Sequence, residues 1–348
     1  MQVLCTLMRM PTRLRSYLWL LLNVLCWGSL LVVAKPALDY VSPFRLLFYR
    51  YLWASVLALL IVSYFWFFQL PRMRSRVQTT ARSTRRVQKT LPPTSTLLWR
   101  SLLMEVVGTG VGLSLLYTGL QRTSAIQASL IATTLPIFIT LGGVWWLHER
   151  EERHESVGLV IAALATIALT LIPFFRQGQA GWSLSLMGSL LIIGHNVLAV
   201  WYFLRAKTWY RGWPKLVVTS MGCLVGLATF AGLAWWESHL GLSAFTQSVL
   251  HDLQQPVIAQ STLFLTFIGT FLGSTAYMKG QEDIESSEAS VFWYLQAGVY
   301  IPLSWFMLGE RLDWVQLTCL FFVVLGVAIA EMWYTPPSRN THSRTKRG

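Results

Sequence analysis

The sequence predicts an all-α integral membrane protein whose ten transmembrane helices form two inverted-topology five-helix repeats. Three observations predict it: ten apolar runs, basic residues gathered on one side of them, and a block that recurs 161 residues further along the chain.

Of the 348 residues, 54% are hydrophobic and only 12% are charged. That charged share is about half of what a soluble domain uses. It excludes a soluble enzyme, a disordered chain and a disulfide-stapled secreted domain. A helix needs about 20 apolar residues to cross the hydrocarbon core, and it satisfies its own backbone hydrogen bonds there. Such runs fall at 17–35, 44–68, 98–118, 124–147, 156–175, 182–204, 214–236, 257–277, 287–308 and 313–334, here called spans 1 to 10. Span 1 follows Arg9, Arg13 and Arg15, like the basic end of a signal peptide. It is too long for one, lacks a small-x-small cleavage site and precedes nine more spans, so it reads as a retained signal-anchor. Cys5, Cys26, Cys223 and Cys319 show no metal-ligand or redox spacing and read as small apolar residues.

The charges orient the chain. With the N-terminus in the cytoplasm, 22 of the 28 Lys and Arg residues fall on inside segments or the span starts that adjoin them. The other six are Lys35, Arg45, Arg50, Arg122, Arg176 and Arg311. This is the positive-inside bias. The net charge of +13 therefore records orientation, and no nucleic-acid partner is expected. The expected layout is a cytoplasmic N-tail (1–16), a first repeat (17–175) containing a basic cytoplasmic loop (69–97), a second repeat (182–334) and a cytoplasmic C-tail (335–348). The basic loop holds orientation and touches anionic lipid. Both termini face the cytoplasm, in a multi-pass protein of the cytoplasmic membrane. The outside stretch 237–256 has no Lys or Arg and places Leu242, Phe245, Val249 and Leu253 at helical spacing. It fits a short interfacial helix or an ordered loop.

Residues 108–150 align with 269–311 without a gap, with nine identities. They are Gly108/Gly269, Thr109/Thr270, Gly112/Gly273, Gly119/Gly280, Ala128/Ala289, Ser129/Ser290, Leu147/Leu308, Glu149/Glu310 and Arg150/Arg311. Each half has five spans, an odd number, so the second half enters the membrane upside down. Inverted repeats of this kind enclose a midplane site in many secondary transporters. Gly108 with Gly112, and Gly269 with Gly273, form small-xxx-small faces for close helix packing or sliding.

Two five-span halves, each opening span 4 or 9 with Ala-Ser and closing it with Glu, resemble the EamA-type family of the drug/metabolite transporter superfamily. Trp27-Gly28-Ser29, Lys35, Ser42-Pro43, Arg50 and Pro136 agree with that pattern, over about residues 17–334. At the position matching Pro136 the second half has Ala297, preceded by Gln296 and followed by Pro302, so the bend of span 9 is expected to differ. The resemblance implies a ten-helix carrier of small organic metabolites, often moving them outward.

Polar groups inside spans are costly in lipid, so each is a candidate for function. Arg50, about seven residues into span 2, suits an anionic group such as a carboxylate. Glu105 in span 3 is a candidate for proton coupling, or for a pair with Arg100. His195 and Asn196 sit in the middle of span 6, where His195 is a candidate relay or binding group. Asn23 and Trp27 share a face of span 1. Trp293, Gln296 and Tyr300 make one polar-aromatic stripe on span 9, suited to a mostly apolar pocket or to cation–π contact with an amine. Tyr117, Tyr277 and Trp201, near span ends, read as interface anchors. Glu149 and Glu310, each followed by Arg, read as matched structural elements or gate-side ion pairs.

The expected partners are a small-molecule substrate and the lipid bilayer, with no cofactor and no metal, in a monomer or homodimer. An integral membrane enzyme acting on a lipid-linked substrate is the competing class, but paired metal ligands, His-Glu-x-x-His and Gly-x-Ser-x-Gly are all absent from the sequence. No phosphate-binding Gly-x-x-x-x-Gly-Lys-Ser/Thr loop supports a pump. A channel is separated from a carrier by whether transport saturates and shows counterflow.

Overall fold

The computed structural model describes residues 12–69, 94–139, 182–210, 213–282 and 292–331, together with positions 142, 157–158, 160–161, 163–168, 171, 284 and 289. Most of the basic loop, nine of the twenty residues of span 5, Glu149, Arg150, Ser290, residues 1–11 of the N-tail and the C-tail lie outside the described residues. No strand occurs among the described residues.

Among the described residues six helices are long and apolar enough to cross a membrane: Arg13–Asp39, Pro43–Phe68, Leu98–Arg122, Ser185–Ala206, Lys215–Ser238 and Pro256–Gly280. They correspond to spans 1, 2, 3, 6, 7 and 8. Shorter apolar helices at Ala125–Ile139 and Trp314–Gly326 mark spans 4 and 10. Span 9 runs through Phe292–Gln296 and Ala297–Leu308. Large apolar side chains such as Phe306 and Trp314 stand exposed at 84% and 81%. Lipid tails are as apolar as these side chains, so the bilayer is their natural surrounding.

Local chemistry sets the helix ends. Pro43 opens span 2 behind Ser42, whose hydroxyl accepts from the Arg45 N–H at 3.3 Å. Ser124 caps span 4 by accepting from the Gln127 N–H at 3.1 Å. Pro256 starts span 8, where its missing N–H would have no partner. Gly309 ends span 9 at φ 66°, a left-handed conformation that costs glycine little.

The halves pack reciprocally. Span 2 lies along span 7, span 1 along span 8, and span 3 along span 6. The repeated glycines sit at the last two contacts. A Cβ on Gly108 would strike the Tyr202 ring, and one on Gly119 would lie 2.6 Å from the Gly188 carbonyl oxygen. A Cβ on Gly269 would lie 2.7 Å from Leu30, one on Gly273 2.5 Å from Trp27, and one on Gly280 2.6 Å from Leu20. Each half thus uses its third span to hold the first span of the other half at close range.

The same spans share a backbone irregularity. Span 3 widens into a π-helical turn over Glu105–Val111, and span 8 does so over Leu265–Gly273. Shifted by the repeat offset, the two segments overlap. Such wide turns are rare and gather at functional sites. Span 4 breaks at Thr133–Thr134, just before Pro136, whereas span 9 passes from a 3₁₀ turn over Phe292–Gln296 into α-helix at Ala297. Both halves bend at matching places, one beside a proline and one by tightening the backbone.

Candidate functional site

A cavity of about 190 Å³ lies between the halves, lined by spans 1, 2, 3, 4, 6, 7, 8 and 9. Its walls are mostly apolar, and three polar or aromatic groupings project into it.

The first grouping surrounds Arg50, which is only 6% exposed. Its Nε donates to Thr270 Oγ1 at 2.8 Å and its NH1 to the Tyr117 hydroxyl at 3.1 Å. The guanidinium also lies 5.7 Å from the Tyr51 ring centroid. Among the described residues no carboxylate pairs with it. The second grouping surrounds Glu105, 5% exposed. Its carboxylate accepts from Thr109 Oγ1 at 2.5 Å and from the Tyr202 hydroxyl at 3.1 Å, and among the described residues no cation pairs with it. Arg100 instead lies over the Trp209 ring at 5.4 Å. Gly222 of span 7 makes room for the acid, since a Cβ there would stand 2.7 Å from its carboxyl carbon. Among the described residues the cavity therefore holds one buried positive group and one buried acid, supported by hydroxyls and rings.

The third grouping is aromatic. Trp27, Phe203, Tyr277 and Trp293 meet with ring centroids 4.9–6.0 Å apart. The Trp27 indole N–H donates to the Gly269 carbonyl at 3.2 Å, which fixes the ring. Beside this cluster Gln296 lines the cavity with its amide Nε2 buried and unpartnered. A buried donor without a partner is costly unless something in the cavity accepts from it. His195 Nδ1 lies 2.9 Å from the Gly112 carbonyl. A carbonyl only accepts, so Nδ1 carries the proton and Nε2 is left as an acceptor.

Of the residues expected from the sequence, Trp27, Arg50, Glu105, His195, Trp293 and Gln296 come together in the cavity. Asn23, Asn196 and Tyr300 do not line it. Asn23 Nδ2 donates to the Gly273 carbonyl at 3.0 Å, joining span 1 to span 8. Asn196 Nδ2 donates to the Ile131 carbonyl at 2.9 Å and to Thr134 Oγ1 at 3.2 Å, serving backbone where span 4 breaks. Tyr300 is buried in the apolar core. The stripe of span 9 divides because Trp293 and Gln296 sit on the 3₁₀ turn and Tyr300 on the α-helix. The rotation per residue changes between them.

The anchor reading of Tyr117 and Tyr277 is corrected. Both are buried, at 1% and 2% exposure, and both line the cavity. Their hydroxyl and ring are drawn inward by Arg50 and Trp27, which the sequence does not place beside them. Thr109, Thr270, Tyr202 and Phe203 also line the site without having been singled out as binding residues. The signal for the two threonines was present in the repeated Gly-Thr-x-x-Gly.

At the end of the bundle that carries Lys35, polar side chains join the elements. Lys35 Nζ donates to the carbonyls of Leu120 and Thr123 at 2.7 and 2.6 Å. Arg45 pairs with Asp252 at 3.1 Å, and Tyr49 donates to Asp252 at 2.6 Å. Ser42 bonds to Glu237. The stretch that fitted a helix or a loop is helical over Leu242–Leu253, with Phe245 and Val249 buried.

The profile of the EamA-like transporter family matches residues 14–171 and 186–332. A relative from Bacillus subtilis (strain 168), the uncharacterized transporter YetK, is 24% identical over 215 residues, which span 62% of each chain. An uncharacterized transporter from Archaeoglobus fulgidus is 23% identical, over 92% of this chain and 97% of its own. One solved crystal structure superposes with a TM-score of 0.56 at 16% identity, covering 91% of this chain and 97% of that one. At that identity the likeness concerns the fold alone.

Proposed function

Because this chain belongs to the EamA-like transporter family, we propose that it is a secondary transporter carrying small organic metabolites across the cytoplasmic membrane, by alternating access between its two repeats. Arg50, which has no carboxylate partner among the described residues and lies in a cavity shared by both halves, is the observation that carries this reading. A cation buried without a counter-charge is expensive in the membrane interior, and a substrate carboxylate would supply the missing charge. The aromatic cluster suits an apolar body or an ammonium group, and Gln296 offers one donor for orientation. Amino-acid-like molecules, or amines, are therefore the proposed substrates. Glu105 is the proposed proton carrier, with His195 Nε2 as a second candidate. The outward direction follows the family resemblance, and the distribution of basic residues supports cytoplasmic termini.

Purified protein in liposomes tests the reading. Amino acids, amines and nucleosides that raise the thermal midpoint are expected to show saturable counterflow. Flux that never saturates would favour the channel alternative, and product formation without transport would favour the enzyme. A cysteine introduced within 72–90 is expected to resist an impermeant thiol reagent added to intact cells. Ready labelling there would reverse the orientation.

A further inference from the structure

Glu310 stands two residues beyond the end of span 9, after the left-handed turn at Gly309. Its Oε1 accepts from the Ala125 N–H at 2.9 Å and its Oε2 from the Ile126 N–H at 2.8 Å. Ser304 Oγ donates to Oε2 at 3.0 Å and holds the carboxylate in place. Ser124 takes the Gln127 N–H, so the first turn of span 4 has its amides satisfied, two of them by a residue of the opposite repeat. Gln316 Nε2 adds a second bond between the repeats at the same turn, to Gln127 Oε1 at 3.2 Å. Lys35 holds the other side of this elbow through the Leu120 and Thr123 carbonyls.

A carboxylate on the positive end of a helix makes strong, directional bonds without needing a cation. Such bonds are also reversible in a way an apolar seal is not. If the two repeats part at this end, water can replace each partner, so the net cost of separation is small. Both properties suit a contact that forms and breaks once per cycle.

We propose that Glu310, seated on the first turn of span 4, is a releasable latch between the two repeats. It is closed in this conformation and opens when the cavity is exposed at the Glu310 end. The latch rests on the carrier reading above. Cys223 lines the cavity and reports its exposure, provided that Cys5, Cys26 and Cys319 are replaced by alanine. An impermeant maleimide added from the side that Glu310 faces is expected to label Cys223 about tenfold faster in Glu310→Ala, and less so in Glu310→Gln. Unchanged labelling in both variants would overturn the latch. Where those variants fail to fold, Gln127→Cys with Gln316→Cys, on a background lacking the four native cysteines, supplies a second measurement. A short bis-methanethiosulfonate, which joins the two thiols through reducible disulfides with loss of sulfinate, is expected to stop counterflow and to release it on reduction. Full counterflow in the linked protein would overturn the latch. Absence of counterflow before linking would instead count against the carrier reading.

Discussion

The two repeats share one backbone device and use it for opposite chemistry. In each, the third span widens into a π-helical turn that carries Gly-Thr-x-x-Gly and packs against the first span of the other repeat. In the first repeat the threonine of that motif, Thr109, donates to the acid Glu105. In the second, Thr270 accepts from the guanidinium of Arg50. A hydroxyl can do either, because it is both donor and acceptor. The repeat therefore supplies a symmetric scaffold, and single residues on it make the cavity polar. The position matching Glu105 in the second repeat is Thr266, which bonds to the Arg50 carbonyl at 2.8 Å, so Glu105 is the one acid lining the cavity among the described residues.

Removing the positive pole is expected to have the largest effect. Arg50→Ala should lower counterflow at least tenfold with folded protein still recovered, since hydrogen bonds to a charged group are worth about 1.5–3 kcal/mol. Arg50→Lys should rescue it poorly, because an ammonium cannot reproduce the planar fork that reaches both Thr270 and Tyr117. Normal transport in the alanine variant would break the assignment of the pole. The acidic pole should matter differently. Glu105→Gln is expected to keep substrate exchange while losing accumulation driven by a proton gradient. Equal loss of both would make Glu105 a binding group only.

The glycine stripes give the smallest and cleanest contrast between the halves. A Cβ at Gly273 would lie 2.5 Å from Trp27, whereas one at Gly112 would meet only His195 Nδ1 at 3.5 Å. Gly273→Ala should therefore destabilise by about 1–3 kcal/mol, the usual cost of overpacking. Gly112→Ala should be close to neutral. Thermal midpoints in detergent read the difference, and equal shifts would deny that the halves pack unequally.

Much of the fold was legible in the sequence because lipid imposes it. Apolar runs of crossing length, a one-sided excess of Arg and Lys, and an odd number of spans per repeat each follow from the bilayer as solvent. The candidate site was legible in part. Arg50, Glu105, Trp27, His195, Trp293 and Gln296 stood out because polar or amphipathic groups inside a span need a reason. Asn23 and Asn196 stood out for the same reason, yet they bond to backbone carbonyls between spans. Composition treats the two uses alike.

What the sequence determined by itself is the all-helical class, the order of the apolar spans and the inverted pairing of the two halves. Only the tertiary structure decided which polar groups face the cavity. That choice depends on helix rotation, and a single 3₁₀ or π turn changes it. Such a turn separates Gln296 from Tyr300 on one helix. Contact with Arg50 and Trp27 brings Tyr117 and Tyr277 inward from span ends that sequence pattern assigns to the membrane surface. The rotation of each helix is set by close contacts with helices far away in sequence, so local periodicity cannot report it.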